Sequence, residues 1–144
     1  MTVTDDFRRK LCKCDDGPIR CLKDDDFATQ LSFKAGTFRR GPRASELDVS
    51  LLRGRVTVLD AVRYVTGDRN PSERKVAASQ VRFTTIGALR RAGFTAVHTP
   101  GRIRNGPHIS VVWSSEDPLV KPVVPWPPDL GSVFDGCFNE VEGA

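Results

Sequence analysis

Two histidines, His98 and His108, bracket a short basic loop, and they are the first residues in this chain whose type and spacing suggest chemistry. An unperturbed imidazole titrates near neutral pH, so a pair of them is read as a candidate catalytic acid and base for proton transfer at a phosphoryl or glycosidic centre. The loop from Pro100 to His108 adds Arg102, Arg104, Asn105 and a glycine-freed backbone, and Arg90 and Arg91 stand at the end of the helix expected before it. Guanidinium groups offer paired donors and glycine lets the main chain come close, so these five residues are the candidate phosphate or anion site. Arginines in a hairpin loop also serve simply as solvated charge, and arginines near a helix C-terminus suit its dipole.

Four cysteines are the second chemical feature. Cys12, Cys14 and Cys21 are spaced C-x-C-x6-C, with Cys137 far away in sequence. Zinc favours four thiolate or imidazole ligands, usually paired two to four residues apart. This spacing is no zinc-finger signature, and only a fold that brought Cys137 or a histidine alongside would complete a set. Neither a metal nor any other cofactor is therefore expected. The acidic pairs and runs, Asp15-Asp16 and Asp24-Asp25-Asp26, lack the alternating ligands and closing glutamate of a calcium loop and read as a solvated face. No phosphate-binding glycine loop, nucleophile elbow, dinucleotide fingerprint or kinase motif is present. His108-Ile109-Ser110 resembles half of the paired His-x-Ser/Thr motif of the two-histidine phosphoesterases, but His98 is followed directly by Thr99, so that activity does not carry over.

The elements that must position these residues can be traced from periodicity. Residues 79–113 read as strand, helix, strand, loop, strand: Val81 and Phe83 flank Arg82, Thr85 is a helix N-cap before Ile86, Leu89 and Ala92, and Gly93 ends the helix. In HISVVW, alternation puts Ile109, Val111 and Trp113 on one face and His108, Ser110 and Val112 on the other. Upstream, Leu31–Phe38 and Glu46–Leu52 read as strands joined by an arginine-rich loop, and Thr57 caps a helix that Gly67 stops. Ser72 starts a further turn of helix, Thr4–Cys14 a short helix, and Ile19–Leu22 a brief strand. After Trp113 five of the ten prolines crowd into an extended arm, and Pro128 opens a last helix over DLGSVFDGCFNEV. The expected fold is α+β: a single domain with a largely antiparallel sheet of about five strands and about three helices. Its core spans residues 1–113, with the proline-rich arm and C-terminal helix of residues 114–144 packed on it.

Residues 33–113 resemble a group of small uncharacterised bacterial proteins that share a phenylalanine strand, an L-S-V-like strand, a threonine before a glycine-ended segment, and a final N-P-x-H. The counterparts here are Phe38, Leu47-Asp48-Val49, Thr85, Gly93 and Asn105-Gly106-Pro107-His108, with Asp48 where the group has serine. No activity is attached to that group, so the resemblance implies none.

Charge is unevenly distributed. Residues 33–113 hold fifteen bases and five acids, whereas residues 114–144 hold six acids and one base. Either the tail screens the middle within the fold, or the middle is an anion-binding surface. The leading functional expectation is thus a binding module whose basic surface meets nucleic acid or an acidic protein partner. Two alternatives stand beside it. One is a small, toxin-like enzyme acting on a nucleotide or nucleic acid through His98 and His108. The other is an assembly subunit docking through Trp126 of the VVPWPP arm. No apolar run reaches bilayer length and MTVTDDFRRK lacks the core of an export signal, so a cytoplasmic protein without a membrane partner, its thiols reduced, is expected. Oligomeric state is left open by the sequence.

Overall fold

Alternating β-branched and aromatic segments become strands wherever one or both faces are covered, and among the described residues five do, whereas a sixth strand, residues 140–143, is exposed along its length and is held by main-chain pairing. The computed structural model describes residues 5–101, 106–113 and 124–144. Strands β1 (Phe27–Ser32), β2 (Asp48–Arg53), β3 (Gln80–Thr85), β4 (Phe94–His98), β5 (His108–Trp113) and β6 (Glu140–Gly143) form one antiparallel sheet in the order β4-β5-β2-β1-β3-β6. With helices α1 (Asp5–Lys10), α2 (Gly17–Arg20), α3 (Val58–Thr66), α4 (Glu73–Ala78), α5 (Ile86–Arg91) and α6 (Leu130–Asp135), the fold is α+β. None of the described helices is long and apolar enough to cross a membrane.

One sheet face carries Ala28, Val49, Leu51, Ala96, Ile109 and Val111 beneath Ile86 and Leu89 of α5 and Leu130 and Phe134 of α6. The other carries Leu52, Val81 and Phe83 beneath Ala61 of α3, and Val97 and Val112 beneath Phe7, Leu11 and Ile19. Removing a side chain such as Phe134 from water contributes roughly 1.5–3 kcal/mol. The caps read from the sequence are made: Thr57, Ser72 and Thr85 each accept a main-chain N–H three residues on. Gly93 turns from α5 into β4 at φ 97°, and a Cβ there would meet the Trp113 ring at 3.0 Å, so both conformation and space require glycine.

Three expectations are corrected. The first long strand is Phe27–Ser32, not Leu31–Phe38, because Gly36 at φ 76° and the Ser32 and Thr37 hydroxyls, both bonded to Lys34 O, turn the chain. Ile19–Leu22 is no strand: Pro18 sits in the first turn of α2. The last helix stops at Asp135, and the chain returns as β6 to cover the outer edge of β3. Arg82, which alternation set between two apolar residues, is 7% exposed; it lies over the Phe138 ring at 4.1 Å and the Phe38 ring at 4.7 Å.

Candidate metal centre

β4 is an edge strand, and residues 5–22 wrap it. Cys12 N–H donates to His98 O at 3.0 Å, which ties the first cysteine to the end of β4. Gly17 N–H then donates to Cys14 O, and Cys21 N–H to Gly17 O, so a tight turn and one turn of helix bring Cys21 back towards Cys12. Two arginines fix that return. Arg53 donates to Cys21 O at 3.0 Å and to Asp26 at 3.2 Å, while Arg90 donates to Ile19 O, Leu22 O and Asp24.

The outcome is a cluster of Cys12, Cys14, Cys21 and His98 whose ligand atoms all lie within 4.8 Å of one another. Cys12 Sγ is 3.5 Å from Cys21 Sγ, and His98 Nδ1 is 3.7 Å from Cys21 Sγ and 3.8 Å from Cys14 Sγ. A zinc ion with bonds of about 2.3 Å to sulfur and about 2.0 Å to nitrogen needs ligand atoms roughly 3.5–3.8 Å apart at the corners of its tetrahedron. The second imidazole nitrogen supplies an independent sign. His98 Nε2–H donates to Gly106 O at 2.6 Å, which leaves Nδ1 with its lone pair turned to the sulfurs. Metal-ligating histidines are commonly held by such a carbonyl. Burial, and then the adjacent thiols, push the Cys21 thiol up to about 12 and the Cys12 thiol upward. A divalent cation among the sulfurs reverses that preference and takes them as thiolates.

The sequence left open whether Cys137 or a histidine would complete the set, and could not single out His98 because it lies 77 residues from Cys21, a separation no spacing motif covers. The fourth cysteine is elsewhere: Cys137 Sγ donates to Val133 O at 3.5 Å, and burial raises its pKa.

The two histidines do not meet as an acid and base. His98 is in register with the core residue Ile109 and His108 with Leu52, so their side chains leave the sheet on opposite faces. His108 instead joins a hydroxyl chain, Nε2 to Ser50 Oγ at 3.0 Å and Nδ1 to Thr99 Oγ1 at 2.7 Å, with Thr99 Oγ1 2.8 Å from Ser110 Oγ. Burial lowers its pKa.

The anion set divides in the same way. Arg90 spends its donors on the cysteine-bearing turn, whereas Arg91 is exposed on α5. Arg102, Arg104 and Asn105 lie outside the described residues. The acidic tail does screen part of the basic middle: Arg55 pairs with Glu140 and Glu142, and Asp135 accepts from both Arg40 and Arg82. Trp126 is no free docking residue. Its ring packs against Phe94 and Phe134, and its Nε1–H donates to Leu47 O at 3.2 Å, because an aromatic in a proline-rich strap gains most by covering its own core.

The chain matches no protein-family model, no curated protein and no solved structure.

Proposed function

We propose that the protein is a zinc-tied binding module: zinc(II), held by the Sγ atoms of Cys12, Cys14 and Cys21 and by His98 Nδ1, clamps the N-terminal segment on the sheet edge, and the sheet serves an acidic partner. The observation that carries this reading is the closed set of four ligand atoms with His98 oriented from behind by Gly106. Four protein ligands fill a tetrahedron, so the role is structural, with no position left for a substrate. The partner half rests on Lys34, Arg39 and Arg43, which make no ion pair with any described residue, unlike the arginines the tail engages. Elemental analysis of chain purified without chelator should find one equivalent of zinc, and Cys14→Ser should lose it with a lower melting temperature. Cobalt substituted for zinc should give the thiolate charge-transfer bands of a tetrahedral sulfur-rich site. Metal-free wild type whose melting temperature is the same with and without added zinc overturns the reading.

A hydrolytic reading is favoured by one observation. Ser50 Oγ lies 3.0 Å from His108 Nε2 and Thr99 Oγ1 lies 2.7 Å from Nδ1, and the tautomer with its proton on Nδ1 gives the hydrogen-bond order of an activated hydroxyl. A fluorophosphonate probe labelling wild type but not Ser50→Ala supports it; absence of labelling counts against it.

A further inference from the structure

The sheet is split at its centre. Gly54 N–H donates to Phe27 O, and β1 and β2 are in register at Ala28–Arg53 and Thr29–Leu52, after which their pairing stops. The phase of the main-chain bonds identifies what faces the split. Ile86 N–H donates to Asp26 O, so even-numbered residues of β1 bond to β3 and odd ones face β2. Arg53 N–H donates to Pro107 O, so odd-numbered residues of β2 bond to β5 and even ones face β1. The next rung would join Leu31 to Ser50, and it is not made. Both strands remain paired along their outer sides, β1 with β3 from Phe27 to Ser32 and β2 with β5 from Asp48 to Leu52. The split is therefore held open by two firm half-sheets, with strand-edge groups of Leu31 and Ser50 on its two walls.

It opens into a cleft of about 600 Å3. Leu31, Phe33, Tyr64 and Val65 supply apolar surface, and Phe33 and Val65 are 44% and 52% exposed. Lys34, Arg39 and Arg43 stand around it against Glu46 and Asp48.

We propose that this cleft binds an extended acidic peptide, which enters between β1 and β2 as an added strand. A strand edge alternates N–H with C=O, which complements another main chain; a phosphate, all acceptor, would meet the carbonyls unfavourably. The three basic side chains favour glutamate or aspartate on the incoming strand, and the partly exposed Phe33 and Val65 favour an apolar residue between them. This proposal rests on the binding-module reading, and names the partner and its seat.

The test is fluorescence anisotropy with a labelled peptide about six residues long, alternating glutamate and valine. Its comparators are the lysine–valine analogue, the glutamate–valine peptide N-methylated on the main chain, and a single-stranded oligonucleotide. Binding of the acidic peptide, lost on N-methylation and weakened at least about tenfold by Arg39→Glu with Arg43→Glu, is the expected result. Equal binding of the N-methylated peptide, preference for the lysine analogue, oligonucleotide binding in its place, or no binding up to about 1 mM peptide overturns the proposal. Zinc content is measured on the same samples. Full zinc with no peptide binding sinks the cleft alone, while absence of zinc with peptide bound sinks only the metal half of the module.

Discussion

Cys12, Cys14 and Cys21 share one cluster with His98, so thiol reactivity is the direct readout of the proposed metal at the level of single residues. In urea, where burial no longer protects the thiols, Cys12, Cys14 and Cys21 should stay unreactive towards a disulfide-exchange reagent while zinc is bound, and all four cysteines should react after chelation. Four reactive thiols before chelation would contradict a bound metal. Arg90 is a positioning residue for the same centre, since it holds the carbonyls of Ile19 and Leu22 on either side of Cys21. Arg90→Ala should weaken zinc retention about tenfold in a chelator competition and leave the other thiol, Cys137, unaffected; unchanged retention would mean that the turn holds itself. His108 gives a pH dependence. Burial lowers its pKa from 6.5, opposed by Asp48 and Thr99 and helped by Lys10 and His98. The unfolded chain then takes the proton first as pH falls, so this contribution to stability is complete above about pH 6.5 and is lost as pH falls through the folded value. Urea unfolding from about pH 7 to pH 5 should show a smaller loss in His108→Gln than in wild type. Equal losses would assign the acid sensitivity elsewhere.

Among the elements, β6 shows how the acidic tail is used. Its pairing with β3 covers an edge, and Glu140 with Glu142 holds Arg55 over the Phe83 ring at 4.2 Å. Gly143 lies at φ 94°, and a Cβ there would be 2.7 Å from Val58 Cγ2 and 2.9 Å from Ser79 O. Gly143→Ala should therefore cost about 1–2 kcal/mol and speed amide exchange at the end of β6, with β4 and β5 unchanged. Exchange as in wild type would mean that the strand accommodates the side chain. α6 contributes through Asp135, whose pairing with the buried Arg82 makes Asp135→Ala destabilising by about 2–3 kcal/mol, less than for a fully buried pair because Asp135 is partly in water. A denaturant midpoint within error of wild type would show that Gln30, whose Oε1 accepts from Arg82 Nε at 2.7 Å, and the Phe38 and Phe138 rings suffice for the cation.

Taken as a whole, the described residues form a six-stranded sheet bordered at one edge by the cysteine turn, at the other by β6, and opened at its centre between β1 and β2. Local physics was legible in the chain. The Thr57 and Thr85 caps, the glycine stops, the alternation of HISVVW and the α+β class follow from periods and side-chain chemistry that act over a few residues. The sequence also displayed the excess of bases in the middle and of acids at the end, and held three cysteines short of a metal set. Tertiary structure alone decided what those features became. Loop closure over 77 residues brought His98 to Cys21, and register put His98 and His108 on opposite faces. The end of pairing after Thr29–Leu52 made the cleft, and docking of α6 and β6 spent Arg40, Arg55 and Arg82 on the tail. The reason is common to all four: strand order and register are set by burial summed over the whole sheet, and no short stretch of chain carries that sum.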